Sequence, residues 1–98
     1  MPEVTLRTCS KAVLTTVASS ATNVAILASN PGRRGASIVN ASTAILYLRL
    51  DGGTATVTTG HSVQIPTLGY YEVPYGFTGA ISGIWASANG SANVTEFQ

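Results

Sequence analysis

One histidine, His61, and four acids, Glu3, Asp51, Glu72 and Glu96, are all that this 98-residue chain offers for acid–base work. Asp51, His61 and one of the serines could form a nucleophile relay on paper. No Gly-x-Ser-x-Gly elbow or comparable local pattern surrounds any serine, and such triads arise easily by chance. Glycoside chemistry needs two carboxyl groups flanking one cleft, and only Glu72 and Glu96 lie in the aromatic C-terminal half. Metal binding needs clustered ligands, whereas Cys9 and His61 stand alone and far apart. The inventory predicts a non-enzymatic protein with no catalytic residue, no cofactor and no metal.

Binding chemistry is better represented. Arg33-Arg34 follows the turn sequence Asn30-Pro31-Gly32, and Arg49 ends an apolar run. A guanidinium suits bidentate pairing, so Arg33-Arg34 could anchor a partner's carboxylate or backbone carbonyl; the alternative is a solvated loop charge. Tyr70, Tyr71, Tyr75, Phe77 and Trp85 fall within sixteen residues. Strand alternation sends Tyr70 and Tyr71 to opposite faces, one to the core and one outward; Phe77 and Trp85 read as core. Exposed tyrosines are frequent interface anchors. The candidate interface set is therefore Arg33, Arg34, Tyr47, Arg49, Tyr70, Tyr71 and Tyr75.

The elements that carry these residues must fold with very little charge. Asp, Glu, Lys and Arg make up 9% of the chain, against roughly 25% in an average soluble domain. There is one Lys, while 10 Ser and 13 Thr supply most of the polar surface. Such an outside is adhesive unless something covers it. A net charge of +1 does not provide the basic face that nucleic-acid binding requires, and there is no polybasic patch for a membrane surface. No apolar run approaches the roughly 20 residues needed to span a bilayer. A lone cysteine excludes an intrachain disulfide framework, and Cys9 reads as a small hydrophobe. Lys11 to Ala21 faintly resembles a signal peptide, but Thr15 and Thr16 break its apolar stretch and a strand fits better. The sequons at Asn40, Asn89 and Asn93 then carry no meaning as glycosylation sites.

Short β-branched and aromatic runs separated by Gly, Pro, Asn and Ser are the pattern of an all-β chain. Strands are predicted at 4–8, 13–18, 23–29, 36–40, 44–50, 61–65, 70–73, 79–85 and 92–97. Asn30-Pro31-Gly32, Asp51-Gly52-Gly53 and Pro74-Tyr75-Gly76 read as turns, with glycine supplying positive φ. Asn89-Gly90 reads as a hairpin joining the last two strands. Leu46, Leu48 and Leu50 should face the core, with Ile45, Tyr47 and Arg49 outward; Ile81, Gly83 and Trp85 share one face, with Ile84 opposite. The expected fold is a small antiparallel β-sandwich or barrel, jelly-roll-like, with residues 1–12 as an N-terminal arm or edge strand and 13–98 as a single β domain.

From residue 24 on, the chain resembles a group of small tailed-bacteriophage virion proteins. The matching segments are Ile26-Leu27-Ala28-Ser29-Asn30-Pro31-Gly32-Arg33-Arg34, Ile38-Val39-Asn40, Leu46-Tyr47-Leu48 and Tyr70-Tyr71-Glu72-Val73-Pro74. Gly79-Ala80-Ile81-Ser82-Gly83-Ile84-Trp85-Ala86 and Val94-Thr95-Glu96-Phe97 complete the pattern. The resemblance implies a capsid decoration (cement) protein, or the capsid-proximal part of a head fibre. It would sit on the capsid surface as a homo-oligomer, a trimer being favoured, and bridge subunits of the major capsid protein. It would be made in the host cytoplasm without a signal peptide. A neck, tail or head-fibre-base protein is the alternative within the virion; a host-glycan-binding module using Tyr70, Tyr75 or Trp85 is the alternative outside it.

Overall fold

The computed structural model describes residues 9–98 and contains eight strands. They are β1 (Ala12–Ala18), β2 (Val24–Leu27), β3 (Gly35–Ala41), β4 (Leu46–Arg49), β5 (Val63–Ile65), β6 (Tyr70–Val73), β7 (Ile81–Trp85) and β8 (Ser91–Phe97). The strand expected over residues 4–8, and most of the expected arm, lie outside the described residues. One sheet has the order β1-β8-β3-β6 and the other β2-β7-β4-β5, with every pair antiparallel. Consecutive strands change sheet at every step except β4 to β5. This is the topology of an eight-stranded jelly roll, two sheets closed face to face over one core.

Alternation builds that core. Leu46 and Leu48 point inward and are fully buried, as are Ile81 and Trp85 on neighbouring β7. Ile38 and Val94 meet them from the first sheet. Fully burying each Leu or Ile side chain contributes about 1.5–3 kcal/mol. Gly83 lies between Trp85 and Ile81 because Ile26 and Leu46 already fill its side: a Cβ there would stand 2.8 Å from Ile26 Cγ1.

A buried amide ties the two sheets at one end. Asn40, on β3, donates through Nδ2 to the carbonyls of Ala44 (2.8 Å) and Ile65 (2.9 Å). Its Oδ1 accepts from Trp85 Nε1 at 3.1 Å and from Ser42 Oγ at 2.8 Å. Every polar atom of this fully buried side chain is thereby satisfied, which such a position demands.

Two turn expectations need correcting. Asn89-Gly90 closes no hairpin, because β7 and β8 belong to different sheets. Neither residue has the positive φ of a type I′ turn. Gly90 is instead held against β1, donating to Ser19 Oγ (2.8 Å) while its carbonyl accepts from Ser19 N–H (2.9 Å). The Asn30–Arg33 turn forms, with Arg33 N–H donating to Asn30 O at 3.0 Å, but Gly32 keeps a negative φ. Positive φ occurs at Gly52 and Gly76, as their turns require. It also occurs at Leu68 (φ 62°), in the Pro66–Gly69 turn that leads into β6.

Candidate functional site

The seven candidate interface residues separate into three places. Arg33 and Tyr71 face inward. Arg33 is 2% exposed, so it neither reaches a partner nor floats as a loop charge. Its Nε donates to Glu96 Oε2 at 2.8 Å, and its Nη1 to the carbonyls of Phe77 (3.2 Å) and Gly79 (2.8 Å). Its Nη2 donates to the carbonyl of Ala28. Asn30 Nδ2 adds a bond to Glu96 Oε1 at 3.0 Å. Burial works against ionisation of Glu96, but hydrogen bonds from Arg33, Gln98 and Asn30, with the charge on Arg33, outweigh it. The carboxyl group is held below its ordinary range. Tyr71 lies opposite Ile38 and packs on the core from the edge of the first sheet.

Tyr47 and Arg49 lie on the outer face of the second sheet under the loop from Leu50 to Ser62. The Tyr47 ring meets the His61 ring at 4.8 Å, tilted by 59°. Arg49 grips Asp51 with two bonds (2.6 and 3.1 Å) and the Thr54 carbonyl with a third (3.0 Å). Its own loop thus occupies the fork expected to hold a partner's carboxylate. The Arg49 bonds, helped by the Gly53 N–H, bring the Asp51 carboxyl down to about 2, and Asp51 raises Arg49 in return.

A depression here is lined by Arg49, Asp51, Thr59, Gly60, His61 and Ser62, but no relay forms. Asp51 faces Arg49 and Gly53. His61 Nδ1 meets the Thr56 carbonyl at 3.0 Å, so that nitrogen carries the proton, and Nε2 accepts from Gln64 Nε2 at 3.2 Å. Nor do Glu72 and Glu96 flank a cleft: Glu96 points into the sandwich and Glu72 out of it. Among the described residues, no three His, Cys, Asp or Glu side chains cluster as metal ligands, and Cys9 is exposed.

Tyr70 and Tyr75 are 67% and 57% exposed at opposite ends of β6. Tyr75, together with Phe97, Pro74 and Gly35, lines a shallow depression. Half-buried Arg34, whose carbonyl accepts from Gly76 N–H, lines a second one beside Tyr75. Trp85 is 1% exposed, so the glycan-stacking role considered for it is ruled out.

Tyr70 belongs to a continuous outer face. Cross-strand register aligns Thr16, Asn93, Val39 and Tyr70 in one row, and Leu14, Thr95, Ser37 and Glu72 in the next. Among the described outward-facing residues of these four strands, Glu72 carries the only charge. Leu14 is 68% exposed and Val39 37%. Leu68, 78% exposed, projects from the turn that precedes Tyr70. Leu14, Val39 and Leu68 were absent from the candidate set. Alternation through Val13–Ala18 and Ala36–Asn40 could have found the first two, whereas the turn residue Leu68 gives no sequence signal.

Among the described residues no helix is long and apolar enough to cross a membrane. Protein-family models, curated proteins and solved structures yield no match to this chain.

Proposed function

We propose that the chain is a structural component of a tailed-phage virion, a decoration protein that docks on the assembled capsid and bridges neighbouring capsid subunits. The observation that carries this reading is the outer face of the first sheet, broad, rich in hydroxyls and apolar groups, and charged among the described residues only at Glu72. A free-standing domain normally interrupts such a face with Lys and Glu. The jelly roll is an architecture used in capsid domains, though also in lectins, and the sequence resemblance points toward the virion. Docking is interfacial: Tyr70, Val39 and Leu14 exclude water, and the hydroxyl rows meet backbone groups of the shell. A protein that binds only the assembled lattice makes that lattice harder to dismantle.

Co-sedimentation with assembled heads of the phage that encodes the chain tests this. The wild-type protein should pellet at many copies per head, and Val39→Lys/Tyr70→Lys should stay in the supernatant while remaining folded. Equal pelleting of the two, or no pelleting of the wild type, overturns the reading. A handful of copies per particle would instead indicate the neck, tail or head-fibre base.

A further inference from the structure

A jelly roll has four edge strands, and three of them are blunted here. β2 is four residues long and its pairing shifts register between Ala25 and Leu27. β5 has three residues and runs into Pro66. β6 has four, carries Glu72 and ends at Pro74. Short strands, bulges, charges and prolines are the usual means of keeping an edge from pairing. β1 has none of them: its seven residues, Ala12-Val13-Leu14-Thr15-Thr16-Val17-Ala18, contain no charge, Gly or Pro. Among the described residues, nothing pairs with its outer side.

The direction of its free hydrogen-bonding groups is fixed at both ends. Lys11 and Gln98 exchange main-chain bonds (3.1 and 2.8 Å), and Ser19 N–H donates to Gly90 O at 2.9 Å. Odd-numbered residues therefore bond β8, and Ala12, Leu14, Thr16 and Ala18 present N–H and C=O to the open side. The sequence of β1 reads nearly the same in both directions about Thr15. Turned antiparallel on itself there, it sets Ala12 against Ala18, Val13 against Val17, Leu14 against Thr16, and Thr15 against Thr15. That register uses all four presented residues and opposes no charge to a like charge.

From this self-complementarity we infer that β1 pairs with β1 of a second copy of the chain about a two-fold axis through Thr15. Ala12 and Leu14 exchange bonds with the second copy's Ala18 and Thr16, and the reverse pairs repeat them. The two Thr15 residues form the close, non-bonded pair at the axis. Both first sheets join into one eight-stranded sheet, and their outer faces lie on the same side. The assembly closes at two, because the far edges are the blunted β6 strands. The pairing concerns the chain in isolation and does not depend on the capsid reading. It replaces the expected trimer with a dimer.

Light scattering after size exclusion should give twice the 10.0 kDa of one chain. Thr15→Lys, which opposes two like charges at the axis, should restore the mass of one chain with Trp85 fluorescence unchanged. An equimolar mixture of Thr15→Lys and Thr15→Glu should return to the double mass. In a Cys9→Ser background, oxidised Thr15→Cys should cross-link to a covalent dimer and Leu14→Cys should not, since only position 15 meets its own copy. A wild-type mass of one or three chains, or equal cross-linking at positions 14 and 15, overturns the inference.

Discussion

Arg33 and Glu96 are 63 residues apart in sequence and 2.8 Å apart in space. Glu96 belongs to the first sheet; the carbonyls that share Arg33 with it come from Ala28, just after β2, and from Phe77 and Gly79, just before β7, at one end of the second. The pair thus locks the sandwich at the end opposite Asn40. One guanidinium meets a carboxylate and three carbonyls, a load that the point charge of a lysine cannot carry.

Truncating Arg33 should consequently be severe. Arg33→Met leaves Glu96 partly buried without its counter-charge and strips three carbonyls of a donor. A loss of about 3–5 kcal/mol is expected, as for other broken buried pairs, and Arg33→Lys should recover little of it. Urea unfolding followed by Trp85 fluorescence measures both.

The same pair gives stability a pH dependence. Glu96 has a lower carboxyl pKa folded than unfolded, so its contribution is complete above its ordinary value of 4.5 and is lost as pH falls through the folded value. The urea midpoint should be flat from pH 7 to about 5 and decline below pH 4.5. Glu96→Gln should lower the plateau and flatten that decline. Asp51, brought from 3.8 to about 2, adds a second, more acidic step that Glu96→Gln leaves in place.

Leu68 holds a left-handed conformation, at φ 62°, that a leucine adopts only at a cost of about 1–2 kcal/mol. Its side chain is 78% exposed and contributes little packing in return. Leu68→Asn, which tolerates this region, should stabilise the isolated protein by about 1 kcal/mol and raise its melting temperature by about 4–8 °C. If Leu68 belongs to the docking face, the same variant should bind heads more weakly. Calorimetry and the pelleting assay together separate the two effects.

The strands were largely legible because they depend on local alternation. Leu46 and Leu48 against Tyr47, and Ile81 and Trp85 against Ile84, identify the inner faces without any knowledge of partners. Arg33 was misread for the opposite reason. Beside a Pro-Gly turn an arginine looks solvated, and its acceptors at Ala28, Phe77, Gly79 and Glu96 converge only once both sheets have formed. Asn89-Gly90 misled similarly, since a good local hairpin signal yielded to β8 pairing with β1 and β3. The residues that carried the resemblance include Asn30, Arg33, Asn40, Trp85 and Glu96, and each is engaged in holding the sheets together. Val39, Tyr70, Glu72 and Thr95 of the outer face lie in the same segments, so the pattern mixes fold-building and surface residues and does not by itself separate docking from folding.

The position of β8 between β1 and β3 also dictates a timetable. Ribosomes release β8 last of the eight strands, yet it forms the spine of the first sheet. Until residues 91–97 emerge, β1 has no partner among the described strands and Glu96 cannot meet Arg33. Folding of this domain must therefore await residues 91–97, and closing contacts of such long range is slow. A nascent chain stalled before Ser91 would display the uncharged β1 without its described partner β8, the form in which this protein is most exposed to aggregation and to chaperones.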